Sequence, residues 1–157
     1  MTMPRALRTT TLANGTRVVR ASNDNVPEWR LQAAQVRRLR AMPEFGRQFL
    51  LAGDMAAGRR GPRARVEATA TGLTRGEPDL RVYLAGGRLL LIENKTLKGR
   101  LSPEQIARHE DLKRIGHPVL VIRAATEADA AEKAESAVRE ALGAAAMANG
   151  GLSKGGG

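Results

Sequence analysis

The segment of residues 76–105 constrains the fold of this chain more than any other. It reads GEPDLRVYLAGGRLLLIENKTLKGRLSPEQ. Two segments rich in apolar residues, 80–84 and 88–93, flank the pair Gly86-Gly87. This pattern is typical of antiparallel strands joined by a tight turn. Apolar and polar residues alternate in the first run, whereas the second contains an unbroken Leu-Leu-Leu-Ile, as expected of a strand covered on both faces. The segment therefore predicts a hairpin whose second strand lies inside a sheet.

Helix signals lie on both sides of this hairpin. Proline is favoured in the first helical turn, so Pro27 predicts the start of a helix over residues 27–40. Ser102 and Gln105 have the spacing of a capping box and predict a second helix over about 102–115. The other predicted elements are a strand at 49–51, a short helix at 62–71, a strand at 119–122 and a helix at 127–142. This order, α-β-(α)-β-β-α-β-α, predicts an α/β protein in which helices flank a small mixed sheet on both faces.

The residues expected to pack into a core lie between two tails. Helical spacing predicts that the inward residues are Trp29, Ala33, Val36 and Leu39 in the first helix and Ile106, Leu112 and Ile115 in the second. Residues 1–26 are polar without periodicity and predict a flexible basic arm, whereas residues 143–157 form an Ala/Gly-rich tail that predicts disorder. One folded domain is therefore expected over residues 27–142.

The charge balance favours a polyanionic partner. Lys and Arg outnumber Asp and Glu 26 to 16, which gives a net charge of +10, and contacts of basic side chains with phosphates release counterions. A basic protein without a nucleic-acid role is the alternative at this point. The chain has no cysteine, which excludes disulfides and thiolate chemistry, and its two histidines cannot form a zinc site by themselves.

No membrane association is expected from the sequence. No apolar run approaches the roughly 18 residues of a membrane span, and the first residues lack the apolar core of a signal peptide. The sequence thus predicts a cytoplasmic protein.

The end of the second hairpin strand carries candidate catalytic side chains. Glu93 and Lys95 are two residues apart, so both side chains point to one face of a strand. A carboxylate can hold Mg²⁺ or Mn²⁺, and a neighbouring lysine can orient a water or stabilise developing negative charge. The alternative is that both residues are solvated charges at a strand end.

The turn length decides whether Asp79 joins these residues. With a two-residue turn, Leu80 would lie opposite Glu93 and Asp79 would face the wrong side. A three-residue loop over 85–87 places Asp79 directly opposite Glu93, close enough for both to share one metal ion. We therefore predict an odd-length turn or a bulge between the two strands.

Two basic segments are candidates for phosphate binding. One is the glycine-rich loop that contains Arg59, Arg60 and Arg63, and the other is the turn that contains Lys98 and Arg100. Glycine lets a backbone approach a ligand closely, and arginine side chains fork onto phosphate oxygens. We predict that these five residues bind DNA; solvated loops are the alternative.

Four motifs carry a resemblance to a known family. They are G-x-P-D-L from residue 76, I-E-N-K from residue 92, K-G-R-L-S-P-E-Q from residue 98 and G-x-x-V-x-V from residue 116. Together they resemble the VRR-NUC (virus-type replication-repair nuclease) family of the PD-(D/E)xK nuclease superfamily, over about residues 27–125. The resemblance implies a restriction-endonuclease-like sandwich and a stand-alone, metal-dependent endonuclease. Such an enzyme would cut branched DNA such as junctions and flaps, form a homodimer, and serve phage replication or DNA repair.

The resemblance also implies roles for individual residues. It makes the metal ligands Glu28, Asp79, Glu93 and the backbone carbonyl of Asn94, and the catalytic residues Asp79, Glu93, Lys95 and Gln105. Gln32 has a weaker analogy behind it. A Gln105 side chain that caps Ser102 is not expected to reach the metal site as well, so two interpretations of Gln105 conflict.

Asn94 departs from the family pattern, in which this position is usually apolar. Its side chain should point to the opposite face of the sheet from Glu93. A polar group there needs a hydrogen-bond partner, or the strand end is more exposed than usual.

Two other functions compete with this one. The first is a DNA-binding protein with a catalytically inactive nuclease fold, and the second is a sequence-specific restriction-type nuclease. The intact acid, acid and lysine set disfavours the first, and the short loops offer little recognition surface for the second.

Overall fold

The computed structural model describes residues 7–11, 17–21, 26–54 and 61–150. The strands and helices, in chain order, are β1 (Leu7–Thr11), β2 (Arg17–Ala21), α1 (Glu28–Arg40), β3 (Phe49–Gly53), α2 (Pro62–Ala70), β4 (Leu80–Leu84), β5 (Arg88–Lys95), α3 (Pro103–Arg114), β6 (Val119–Arg123) and α4 (Glu127–Gly150).

A mixed sheet of four strands in the order β3-β4-β5-β6 forms the centre of the fold. β4 is antiparallel to β3 and β5, whereas β5 and β6 are parallel. β5 thus has a partner on each side, and its residues 91–95 are all buried. The predicted α/β class and the interior position of the apolar second hairpin strand are both confirmed.

Helices cover both faces of this sheet. α1 and α4 pack against each other, and their Leu39 and Val138 join Val82 and Ile92 of the sheet in the main hydrophobic cluster. Successive side chains of a strand point to opposite faces, so Glu93 lies on the other face, where it meets α3. The apolar core therefore lies between the sheet and α1/α4, and polar side chains gather between the sheet and α3.

The hairpin of β4 and β5 has the three-residue turn that the site requires. Leu80 pairs with Ile92 and Leu84 with Arg88, which leaves residues 85–87 outside the ladder. Gly86 and Gly87 have φ values of 82° and 73°, a region that glycine enters without steric cost. The odd-length turn is confirmed, and the register continues to place Asp79 beside Glu93.

The predicted inward faces of the helices are only partly right. Leu39 and Leu112 are buried, but Trp29, Ile106 and Ile115 are exposed. In α1 the buried side consists of Leu31, Ala34, Gln35 and Leu39. In α3 the polar Gln105 and His109 turn toward Glu93, which rotates Ile106 outward. The prediction failed at Trp29, Ile106 and Ile115 because polar residues occupy inward positions that an apolar pattern does not reveal.

The two ends of the chain carry more regular structure than expected. The predicted flexible arm of residues 1–26 contains β1 and β2, which pair with Leu7 opposite Ala21; the Thr and Val residues of these strands have high β-propensity. The predicted helix end at 142 is wrong, since α4 continues through the Ala-rich segment to Gly150, and alanine is the strongest helix former. Residues 151–157 of the predicted disordered tail lie outside the described residues. Within the described ranges no helix is both long and apolar enough to cross a membrane.

Candidate active site

The predicted acidic and basic side chains lie together at the end of the sheet where β4 begins and β5 ends. Lys95 Nζ lies 3.3 Å from Glu93 Oε1 and 3.3 Å from both carboxylate oxygens of Glu28, in the first turn of α1. Glu93 is only 1% exposed, and Lys95 is buried as well. Glu93 and Lys95 therefore share one face of β5, and Glu28 reaches them from the first helix, as the sequence predicted.

Asp79 is fixed next to this group by its own hydrogen bonds. Its Oδ2 accepts a hydrogen bond of 2.7 Å from the backbone N–H of Asn94. Its carbonyl oxygen accepts from the backbone N–H of Asp54 at 2.8 Å and from Gln32 Nε2 at 3.0 Å. Gln32, which lies on α1, thus helps to position Asp79, although the family resemblance gave only weak support for a role of Gln32. The structure brings Asp79 and β5 together across the hairpin as the register prediction required.

Gly76, at the start of the G-x-P-D motif, lets the loop before β4 lie directly on α3. A Cβ at this position would stand 2.4 Å from the carbonyl oxygen of Glu104, and the φ of Gly76 is 78°. Any other residue would therefore be both strained and in steric conflict. Gly76 thus sets the distance between Asp79 and the N-terminal turn of α3.

Gln105 resolves the conflict between its two predicted roles by performing both. Its Oε1 accepts from the backbone N–H of Ser102 at 2.9 Å, and its own backbone N–H donates to Ser102 Oγ at 3.2 Å, which completes a capping box. The other end of the same amide, Nε2, donates to Glu93 Oε1. The expectation that these contacts exclude each other is wrong, because a primary amide has an acceptor at one end and donors at the other.

Asn94 has a polar partner for its side-chain oxygen, whereas its buried Nδ2 has none among the described residues. Its Oδ1 accepts a 2.7 Å hydrogen bond from Gln35 Nε2, which also donates to the carbonyl oxygen of Ala130 in α4 at 3.3 Å. Both amides are fully buried. The strand end is therefore not unusually exposed, and a buried amide pair ties β5 to α1 and α4.

His109 is a neighbour of the site that sequence reasoning missed. Its Nε2 lies 3.7 Å from Glu93 Oε2. Burial and the positive charge of Lys95 lower the pKa of His109, which favours the neutral imidazole at physiological pH. Its spacing from Gln105 was the available signal, since residues four apart on a helix share one face.

The carboxylates of buried Glu93 and partly buried Asp79 are held in an electrostatically unfavourable environment. Burial, followed by the charge of Asp79, raises the pKa of Glu93 to about 7, although Lys95 opposes this shift. Burial also raises the pKa of Asp79, against the hydrogen bond from Asn94. Desolvation and neighbouring negative charge both disfavour an ionised carboxylate, and such clusters are typical of functional sites.

The donor atoms fit a hard divalent cation in their chemistry. Among the described residues no group of three or more Asp, Glu or His side chains is placed to hold a metal ion, and Lys95 contacts both Glu28 and Glu93. Glu93 Oε2, however, is buried without a hydrogen-bond partner among these residues, and a cation would offset its raised pKa. Carboxylate and backbone carbonyl oxygens are the ligands that Mg²⁺ and Mn²⁺ prefer. The metal site of Glu28, Asp79, Glu93 and the Asn94 carbonyl stays a prediction.

An open cleft of about 690 Å³ leads to these side chains. Asp79 and Lys95 line it from the end of the β4–β5 hairpin and Gln105 from α3, and Trp29 and Arg65 contribute from α1 and α2. The cleft is thus bounded on one side by the buried charges and on the other by a helix that buries none of its own residues.

The predicted DNA-binding residues do not all lie at this cleft. Arg100 lines it. Arg63 is almost fully exposed and pairs with Glu67 at 3.0 Å, and Lys98 is exposed on the turn after β5. Arg59 and Arg60 lie outside the described residues. The sequence analysis missed two cleft arginines, Arg65 and Arg75. Arg75 stands apart from other basic residues, whereas Arg65 follows Arg63 by two residues and was left out of that basic segment.

Comparison with known proteins gives one match. No family model and no curated protein matches this chain. A solved structure described as "VRR_NUC domain" is similar, with 21% sequence identity and a TM-score of 0.45, over 71% of this chain and 94% of that chain. It belongs to the same family that the sequence motifs resemble. Because the identity and the TM-score are both low, the function proposed below rests on the geometry of the site.

Proposed function

We propose that this protein is a metal-dependent DNA endonuclease of the PD-(D/E)xK type that hydrolyses phosphodiester bonds in branched or structured DNA, such as junctions and flaps. One observation carries the proposal: buried Glu93 and Lys95 share a face of β5 and stand beside Asp79 across the hairpin, and Lys95 and Asp79 line an open cleft. A purely structural role offers no reason to bury acidic groups whose pKa values rise as a result.

The contacts of Glu93 leave one of its oxygens available. Gln105 Nε2 and Lys95 Nζ both approach Oε1, whereas Oε2 has no hydrogen-bond partner among the described residues. The side chain is therefore held by Oε1. Its Oε2, which lies 3.7 Å from His109 Nε2, would be the oxygen that binds a cation. Asp79 is oriented in a similar way, since its Oδ2 accepts the N–H of Asn94.

The chain's own residues would orient the reacting groups. A Mg²⁺ or Mn²⁺ ion held by Glu28, Asp79, Glu93 and the carbonyl of Asn94 would supply a bound water of lowered pKa and positive charge against the phosphate. Lys95 Nζ can donate a hydrogen bond to the attacking water or to a phosphate oxygen. Hydrolysis adds one water across one P–O bond, and the leaving oxygen takes up a proton.

The cationic groups around the cleft suit a phosphodiester backbone. Arg65, Arg75 and Arg100 line the same cleft as Lys95, and arginine binds phosphate oxygens through its forked donors. The net charge of +10 favours association with DNA in general. A homodimer and a role in phage replication or DNA repair belong to the same proposal, by resemblance to the nuclease family, and the cytoplasmic location stays a prediction.

A catalytically inactive DNA-binding protein is the competing candidate, and one observation favours it. Lys95 Nζ contacts the carboxylates of both Glu28 and Glu93, so these side chains already have a cationic partner without a metal ion. In such a protein the ion pairs would only stabilise the end of the sheet.

Cleavage assays separate the two candidates. The purified protein is incubated with linear duplex, flap and four-way-junction DNA, in Mg²⁺, in Mn²⁺ and in chelator. The variants are Lys95→Ala and Glu93→Gln, with Lys113→Ala as the control because Lys113 is an exposed lysine outside the cleft. We expect metal-dependent cuts, at branch points first, that disappear in both site variants and persist in the control.

Two results would count against the proposal that this site is a nuclease active site. Tight junction binding without cutting in either metal supports the inactive candidate. Cutting that survives Lys95→Ala and Glu93→Gln would show that the activity does not come from this site.

A further inference from the structure

Trp29 occupies an unusual position for the one tryptophan of the chain. It follows Glu28 in the first turn of α1, lines the cleft, and is 64% exposed. The guanidinium carbon of Arg30 stands 5.5 Å from the centre of its ring. A large aromatic side chain thus faces solvent beside the candidate catalytic group.

Packing does not account for this position. The buried side of α1 is formed by Leu31, Ala34, Gln35 and Leu39, and Trp29 is on another side of the helix. Tryptophan is highly buried on average in folded proteins, so the exposed ring forgoes the burial that usually accompanies it. Arg30 stands over one face of the indole, and the exposed remainder of the ring is available to a ligand that enters the cleft.

The surroundings indicate what that ligand is. Cations line the cleft, among them Arg65, Arg75 and Arg100, and Arg30 adds a positive charge over the ring itself. Aromatic side chains next to a basic groove are the means by which proteins hold single-stranded nucleic acid, because every base presents a π-face to stack on. A base inside a duplex has both faces covered by its neighbours and cannot accept the ring.

We propose that Trp29 is a stacking platform for an unpaired nucleobase adjacent to the phosphodiester held at Lys95. It is a specificity-determining residue, which favours single strands, flaps and branch points with unpaired bases over duplex. Since Trp29 and Lys95 line the same cleft, a base stacked on the ring and the phosphodiester at Lys95 can belong to one bound strand. The inference rests on the proposed DNA substrate, and it assigns the structural basis of the preference for branched DNA.

Intrinsic fluorescence tests this inference directly, because Trp29 is the single tryptophan. The protein is titrated in chelator, and separately in Ca²⁺, with a single-stranded oligonucleotide, a flap and a blunt duplex, under excitation that avoids Tyr83. We expect saturable quenching by the single strand and the flap, and little quenching by the duplex at equal occupancy, which is measured by anisotropy of labelled DNA.

Substitutions provide the second measurement. Trp29→Ala should weaken binding of the single strand and the flap roughly ten-fold, and the duplex little, whereas Trp29→Phe should retain most of the affinity. Tyr83→Ala is the matched control, because Tyr83 is also an exposed aromatic residue but does not line the cleft. The exposure of Trp29 makes loss of folding unexpected, and circular dichroism checks this for each variant.

Failure of this inference can be told apart from failure of the nuclease proposal. Quenching by unpaired DNA in a protein that never cuts would support the stacking role and reject the enzyme. Branch-specific cutting that is unchanged in Trp29→Ala would reject the stacking role and leave the enzyme standing. Equal weakening of single-strand and duplex binding in Trp29→Ala would also overturn it, since the ring would then not discriminate unpaired bases.

Discussion

Replacing Glu93 with glutamine should stabilise this protein at alkaline pH. The carboxylate is 1% exposed, and its pKa rises from 4.5 to about 7 on folding, first because of burial and then because of Asp79. At about 1.4 kcal/mol per pKa unit, ionised Glu93 lowers the free energy of unfolding by about 3 kcal/mol. Glutamine has nearly the same shape and no charge to desolvate.

The local contacts also permit this substitution. An amide oxygen in place of Oε1 can still accept from Gln105 Nε2 and lie near Lys95 Nζ. An amide nitrogen in place of the unpartnered Oε2 would face His109 Nε2, now 3.7 Å away. Lys95 keeps Glu28 as its counter-ion.

The sign of the pH dependence follows from the raised pKa. A carboxyl group whose pKa is higher in the folded state binds protons more readily there. The contribution of Glu93 to the free energy of unfolding is therefore most favourable below pH 4.5 and is lost as the pH rises through about 7. At pH 8 the full destabilisation is present in the wild-type protein. At pH 5 the folded state is protonated, and less than about 1 kcal/mol remains.

Urea unfolding in chelator at both pH values measures the effect. We expect Glu93→Gln to exceed the wild type by about 3 kcal/mol at pH 8 and by less than about 1 kcal/mol at pH 5, with loss of cleavage. Glu110→Gln changes an exposed carboxylate of α3 and should shift stability by at most about 0.5 kcal/mol. A Glu93→Gln protein that is less stable than the wild type at pH 8, or a difference that does not change with pH, would refute the electrostatic reasoning.

Three further predictions concern Gly76, the side-chain amide of Gln105 and the binding of Mg²⁺ or Mn²⁺. Gly76→Ala should destabilise the fold more than Gly72→Ala in urea unfolding, because both residues have positive φ but only the first has no space for a Cβ; equal losses would show that the close approach is not tight. Gln105→Ala should lower the cleavage rate at least about ten-fold, whereas Ser102→Ala should cost only about 1 kcal/mol of stability from the lost cap; similar rates in both variants would separate Gln105 from catalysis. Mg²⁺ or Mn²⁺ at 100 times its Kd should raise the stability of the wild type by about 2.7 kcal/mol and of Glu93→Gln far less, measured by thermal unfolding; equal shifts would place the ion elsewhere.

The local chemistry of the hairpin could be predicted from the sequence because neighbouring residues determine it. Alternation along β4, the glycine pair and the spacing of Glu93 and Lys95 fixed which side chains share a face. The odd turn then placed Asp79 beside Glu93 by register alone. The capping box of α3 was equally readable, since it involves only residues three apart.

The rotation of the helices about their axes could not be predicted in the same way. α1 turns Gln35 inward because Asn94, far away in the chain, accepts its hydrogen bond, and this orientation leaves Trp29 in the cleft. α3 turns Gln105 and His109 toward Glu93, so Ile106 faces solvent. An apolar pattern assumes that polar residues point outward, and this assumption fails where a buried polar site supplies the partners.

The sequence by itself determined the strands of the four-stranded sheet and the shared face of Glu93 and Lys95. Those properties depend on contacts between near neighbours or on a fixed strand period. The sequence left two hairpin registers open, and the structure has the one with a three-residue turn that the metal-site hypothesis required. Only the tertiary structure decided that one amide of Gln105 both caps a helix and holds Glu93. It alone decided that Trp29 faces the cleft. Each of these depends on how separate elements pack, because partners distant in sequence are brought together only when the apolar faces of the sheet and helices are buried.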